Sequence, residues 1–204
     1  MKYIIMCGGS FKGADRHLYK IKGECIVART IRLLKENGVE DIAISTNNPG
    51  YEEFGVPILH HENRYGDGGM WIEGFYPSTA PTCYIFGDVV FSEEAIKTIV
   101  ETETDSIEYF ASAPPFDPRF IKKWAEPYAL KVQNIKMFRI KLKLCRQLAE
   151  AGAFKRGPIM WELWQVIKGT PINTIDYTNY HVINDWTCDI DYDEDYEKLT
   201  EVLK

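Results

Sequence analysis

At 204 residues, 45% of them hydrophobic and 26% charged, the chain has the composition of a globular protein, with room for one domain and a full core and too little for two. Its net charge of −6 argues against general binding to nucleic acid or a membrane surface, both of which need a basic face, and no apolar run approaches the roughly 18–20 residues that span a bilayer. The amino terminus runs straight into a strand with no secretory leader, and five scattered cysteines without C-x-x-C spacing read as reduced thiols, so the expectation is a cytoplasmic protein.

A short apolar run over 3–7 predicts a strand covered on both faces, and it opens into Gly8-Gly9 and a polar loop with two cations, Lys12 and Arg16. Glycines let backbone N–H groups approach phosphate oxygens, and cations neutralise them. Cys7, Gly8, Gly9, Lys12 and Arg16 are therefore candidates for holding a nucleotide. A helix follows over 25–37, with Ile26, Ile31, Leu33 and Leu34 set among Arg29, Arg32 and Lys35, and Gly38 stops it. Strands are expected over 42–46 and 56–60, then a glycine-bearing segment with Gly66, Asp67 and Gly68. That segment is either a loop that lets backbone close on a base edge or an ordinary turn. Another apolar run, 82–87, leads into Asp88, and Ser92 caps a helix with Glu93 and Glu94 in its first turn.

The second half is less regular. Strands are expected over 107–112 and 128–132, separated by a proline-containing segment. Helices are expected over 137–151, over 158–167 with Pro158 in the first turn, and over 193–203. Strand–helix alternation implies an α/β fold with a mostly parallel sheet flanked by helices, whose ligands sit at the carboxyl ends of the strands. Gly8 and Asp88 both fall at that edge. One domain spans 1–204, with 1–105 as a nucleotide-binding half and 106–204 as an acceptor half. In the latter, Arg156, Trp161 and Glu162 read either as a packed aromatic helix start or as a pocket for a phosphorylated acceptor. The histidines His17, His60, His61 and His181 show no ligand or triad spacing and read as structural or surface groups.

Asp15-Arg16-His17-Leu18-Tyr19-Lys20-Ile21-Lys22-Gly23-Glu24, followed by Ile26-Val27-Ala28-Arg29-Thr30-Ile31, resembles the Pro-Lys-x-Leu-x-x-Ile-x-Gly-Glu/Lys-Pro-x-Ile-x-Arg segment of the nucleoside-triphosphate transferases. These include sugar-nucleotide pyrophosphorylases and phosphocholine cytidylyltransferases. Arg16 stands where the family has a triphosphate-binding lysine, and the glycine loop before it is shorter than the family's. Phe86-Gly87-Asp88-Val89-Val90-Phe91 resembles the family's Gly-Asp-x-x-Phe/Tyr, and Trp186-Thr187-Cys188-Asp189-Ile190-Asp191 resembles its carboxyl-terminal Trp-x-Glu-Ile-Asp.

The resemblance implies a Rossmann-like, GT-A-like nucleotide-diphospho-sugar transferase fold. It implies Mg²⁺ held by Asp88 and Asp191, with Asp189 at the accompanying acidic position beside the acceptor. The activity it implies is transfer of a nucleotidyl group, cytidylyl from CTP by preference, to a small phosphorylated acceptor. Arg16, with Lys12, would support the leaving pyrophosphate. No nucleic-acid or membrane partner is expected, and the assembly is read as a monomer or a homodimer. Two other readings stay open. One is a nucleotide-sugar-dependent glycosyltransferase of the same sheet type, and the other a nucleotide-binding protein without catalysis.

Overall fold

The first apolar run forms the central strand, β1 (Lys2–Met6), of the computed structural model, which describes residues 1–8, 15–61, 69–112, 125–174 and 177–203. Gly9, Lys12, Gly66, Asp67 and Gly68 lie outside the described residues. After β1 come a 3-10 turn (Arg16–Leu18), a small hairpin of β2 (Lys20–Ile21) and β3 (Glu24–Cys25), and helix α1 (Ile26–Glu36). The hairpin is tight because both of its turn residues take a left-handed backbone, Lys22 at φ 51° and Gly23 at φ 82°. Then follow β4 (Ile42–Ser45), β5 (Ile58–Leu59), β6 (Thr82–Phe86), β7 (Val89–Val90) and α2 (Glu93–Glu101). Ser92 caps α2 as the sequence predicts, its hydroxyl accepting from the amide of Ala95 at 2.9 Å.

The remainder comprises β8 (Ile107–Ala111), β9 (Pro127–Val132), α3 (Ile135–Glu150), α4 (Met160–Lys168), β10 (His181–Val182), β11 (Cys188–Asp189) and α5 (Asp193–Val202). One boundary differs in an instructive way. Pro158 lies just outside α4 rather than in its first turn, because Glu162 reaches back to the amide of Ile159 at 3.1 Å and makes Ile159 the cap.

Seven strands form one sheet in the order β10-β8-β9-β6-β1-β4-β5. Every pairing is parallel except those of β9 with β6 and β8, so β9 alone runs against the rest. The chain moves outward from β1 to β4 and β5 on one side, then returns to β6 on the other. The order therefore reverses between β1 and β6, where α/β sheets open a crevice at their carboxyl ends. The inner strands are apolar throughout, with Ile4, Ile5, Ala43, Ile44, Cys83 and Ile85 fully buried, as sheets covered on both faces require. No disulfide links the cysteines. Among the described residues no helix is long and apolar enough to cross a membrane.

A second, smaller core positions the site. Ile21 from the hairpin, Ile26 at the start of α1, Val90, Cys188, Ile190 and Leu199 from α5 pack together. This cluster ties the carboxyl-terminal segment back onto the first motif, some 170 residues away along the chain. Tyr196 reinforces the tie, its hydroxyl donating to the carbonyl of Lys20 at 2.7 Å.

Candidate active site

The carboxyl ends of β1 and β6 meet closely. Gly87 donates its amide to the carbonyl of Met6 at 3.0 Å. A Cβ at Gly87 would stand 2.6 Å from both that carbonyl oxygen and the Cys7 sulfur, and 3.0 Å from Cδ2 of His17. Only glycine fits there. The Cys7 amide donates to Ser45 at 2.9 Å, and its thiol is fully buried and pushed well above the ordinary range by burial, then by Asp88, Asp15 and Cys25. Cys7 is thus a packed neutral thiol at the site's floor. Arg16, on the 3-10 turn beside α1, is 7% exposed, and Gly8 closes the end of β1.

Asp88 sits in the turn between β6 and β7, with its carbonyl accepting from the amide of Ile190 at 3.0 Å. This bond continues an antiparallel ladder in which Val89 faces Asp189 and Val90 faces Cys188. Strand alternation turns Cys188 and Ile190 into the small core and puts Asp189 and Asp191 on the other face together, as the extended Asp-x-Asp spacing predicts. A third carboxylate meets them there. Oxygens of Glu126, Asp189 and Asp191 lie within 4.8 Å of one another, with Glu126 5% and Asp189 6% exposed. Asp88 is at the same edge but is not one of the three.

Glu126 is the residue that sequence reasoning missed. It directly precedes β9, and because β9 runs antiparallel, its start lies where the parallel strands end. Several bonds hold that start. The Glu126 amide donates to Ser112 Oγ at 2.9 Å, and Trp161 Nε1 donates to the carbonyl of Ala125 at 3.0 Å. Tyr128 reaches across to the carbonyl of Thr187 at 2.7 Å, and Thr187 accepts from the amide of Ser92 at 3.1 Å. The Asp-x-Asp segment is fixed from behind by Asp195, whose carboxylate accepts from the amides of Asp191 at 3.2 Å and Tyr192 at 3.0 Å.

An all-oxygen donor set of three carboxyl groups suits a hard divalent cation, and the residues present fit one. The acceptor candidates are partly committed to structure. Glu162 is 6% exposed, and besides capping α4 it accepts from Arg156 Nε at 2.7 Å. Trp161 stacks edge-on with Tyr109, Tyr177 and Tyr180 at 5.0, 5.2 and 5.2 Å between ring centroids, forming an aromatic wall behind the segment that carries Glu126.

A polar cluster flanks the β1 end. Asp15 takes the Tyr51 hydroxyl at 2.5 Å and His17 Nδ1 at 2.9 Å on one oxygen, and Asn48 Nδ2 at 2.8 Å on the other. Burial pushes its carboxyl up, but the hydrogen bonds from His17 and Tyr51, the His17 charge and the Asn48 bond together hold it below the ordinary value of 3.8. A lowered carboxyl pKa contributes stability that is fully present above the unfolded value and lost as pH falls through the folded one. Acid unfolding of the wild type should therefore steepen below about pH 4, and Asp15→Asn should flatten that limb; equal limbs in a pH series of thermal midpoints would refute it.

No protein-family model and no curated protein matches the sequence. Solved structures do match in fold. A provisionally assigned glucose-1-phosphate thymidylyltransferase from Bacillus anthracis superposes at TM-score 0.61 with 17% identity, over 98% of this chain and 94% of that one. The inositol-1-phosphate CTP transferase of T. maritima gives 0.56 and 16%, over 100% and 96%. The CTP:phosphocholine cytidylyltransferase of Streptococcus pneumoniae gives 0.58 and 16%, over 100% and 99%. The chain therefore has, from end to end, the single-domain α/β fold of the sugar-phosphate nucleotidyltransferases and cytidylyltransferases.

Proposed function

We propose that the protein transfers a nucleotidyl group, cytidylyl by preference, from a nucleoside triphosphate to a small phosphorylated acceptor and releases pyrophosphate. The observation that supports this is the meeting of Glu126, Asp189 and Asp191, with the Asp88 carbonyl bonded to Ile190 between the two aspartates. The fold neighbours add support, since all three are transferases of this kind by name and two of them use CTP.

An acceptor phosphate oxygen attacks the α-phosphorus, forming one P–O bond as the bond to the β-phosphate oxygen breaks, and pyrophosphate leaves with its electron pair. A phosphate monoester is already anionic at neutral pH, so no general base is needed. What remains is positioning and charge neutralisation. Gly8, Gly9 and Arg16, with Lys12, would bind the triphosphate tail, and Gly66, Asp67 and Gly68 would read the base. Arg156, Trp161 and Glu162 bound the acceptor side. Asp88 and Asp191 would hold a metal ion, with Asp189 and Glu126 at the same point. Bound there, Mg²⁺ would neutralise phosphate charge at the reacting centre.

The test is pyrophosphate release with Mg²⁺, each of the four nucleoside triphosphates, and phosphocholine, polyol phosphates and sugar 1-phosphates as acceptors. Release should need both a triphosphate, CTP first, and one acceptor class. Hydrolysis of a nucleotide-sugar without any release would move the assignment to glycosyl transfer.

A further inference from the structure

The proposed chemistry makes no use of His17, and in the sequence it reads as a structural or surface group. Its placement argues for more. His17 lies on the 3-10 turn next to Arg16, and a tenth of its side-chain surface still reaches solvent. Its Nδ1 is 2.9 Å from Asp15, a carboxylate pinned from two further directions by Tyr51 and Asn48. An ionised carboxylate has no proton to give, so Nδ1 is the donor in this pair. The imidazole is thereby oriented by a buffered, rigid anchor, the arrangement by which a second residue fixes which ring nitrogen is available for work.

The other ring nitrogen is Nε2, and its neighbour Cδ2 locates that edge of the ring. The ring edge formed by Cδ2, the carbon bonded to Nε2, lies 3.0 Å from where a Cβ of Gly87 would be. That edge therefore faces the turn after β6, at the place where the strand order reverses and beside Asp88. No described residue hydrogen-bonds Nε2. Other polar and titratable groups around the ring are already engaged: the Cys25 thiol donates to the His17 carbonyl at 3.4 Å, the Tyr51 hydroxyl is on Asp15, and the Cys7 thiol is sealed beneath Gly87. A ring edge at the strand ends, next to an arginine in the chain and still partly open to solvent, is placed to meet an anion.

We propose that His17 is a triphosphate-binding residue acting as the imidazolium, with Nδ1–H kept on Asp15 and Nε2–H donating to an oxygen of the pyrophosphate half of the nucleotide, and with Asp15, Tyr51 and Asn48 as the residues that position it. This rests on the nucleotidyl-transfer reading. A donor on an ionised phosphate oxygen makes a charge-assisted bond, about twice as strong as a neutral one. The two residues Arg16 and His17 would thus share the grip on the leaving group from one short turn.

Calorimetric titration with CTP and with CMP tests it. His17→Asn retains a donor toward Asp15 and removes Nε2. It should weaken CTP binding by about tenfold or more while leaving CMP binding unchanged, and should raise KM for the triphosphate by the same factor. His17→Gln should recover part of the loss, and Tyr51→Phe should show a smaller loss of the same pattern. CTP affinity and KM unchanged in a folded His17→Asn would overturn the proposal. Should that variant fail to fold, the ¹⁵N signal of His17 Nε2 in the wild type decides: it should move on adding CTP or pyrophosphate and stay put with CMP, and a signal indifferent to both would overturn it. Wild-type protein that binds none of the four triphosphates would instead bring down the nucleotidyl-transfer reading itself, and this inference with it.

Discussion

Asp191→Asn should lower the rate of nucleotidyl transfer by about a thousandfold while leaving the fold intact, because it removes one charge from a three-carboxylate site without changing its volume. The Asp191 amide, bonded to Asp195, is untouched by the change, so the segment should keep its path. Adding Mg²⁺ should then raise the wild-type midpoint and not the variant's, since only a protein that binds the ion gains from mass action. Turnover together with melting curves at several Mg²⁺ concentrations checks both halves. A variant that turns over normally, or one that still gains stability from Mg²⁺, would take Asp191 out of the site. Glu126→Gln, placed there by the fold alone, should follow the same pattern.

Gly87→Ala should cost about 3 kcal/mol and lower the thermal midpoint by roughly 10 °C, with a matching loss of activity. A new Cβ would stand 2.6 Å from a backbone oxygen of β1 and from the Cys7 sulfur. The side chain of His17 can yield a few tenths of an ångström, but the carbonyl of Met6 cannot, because it is bonded to the Gly87 amide itself. The clash must therefore spread the two central strands at the end where the nucleotide would sit. An alanine variant with the wild-type midpoint and activity would show that these strand ends are looser than their contacts imply. Gly157→Ala is a fitting control, since there a Cβ would meet nothing within 4 Å.

Much of this arrangement is legible in the residues. The expected strands over 3–7, 42–46 and 82–87 correspond to Lys2–Met6, Ile42–Ser45 and Thr82–Phe86, because continuous apolar runs admit little else in a sheet buried on both faces. The helix expected over 25–37 is Ile26–Glu36, stopped where Gly38 takes a left-handed backbone at φ 79°. The two-residue strands β2, β3, β7, β10 and β11 were not legible, since two residues carry no periodicity. Their existence depends on partners far away in the chain.

The same division runs through the site. Residue order alone determined that glycine follows the first strand, that Asp88 follows an apolar strand, and that Asp189 and Asp191 share one side of an extended segment. Each is a local consequence of residue type and spacing. Only the tertiary structure decided that Glu126 joins them. Nothing near Ala125-Glu126-Pro127 announces a site, and its place follows from β9 running opposite to its neighbours, a choice made by pairing with β6 and β8. Likewise the bond from Trp161 to the Ala125 carbonyl, the Asp15–His17–Tyr51 cluster and the closeness of Gly87 to β1 join residues from 2 to 81 positions apart. Local propensity sets which way a side chain alternates. Long-range pairing, which no short window of sequence contains, sets which side chains meet.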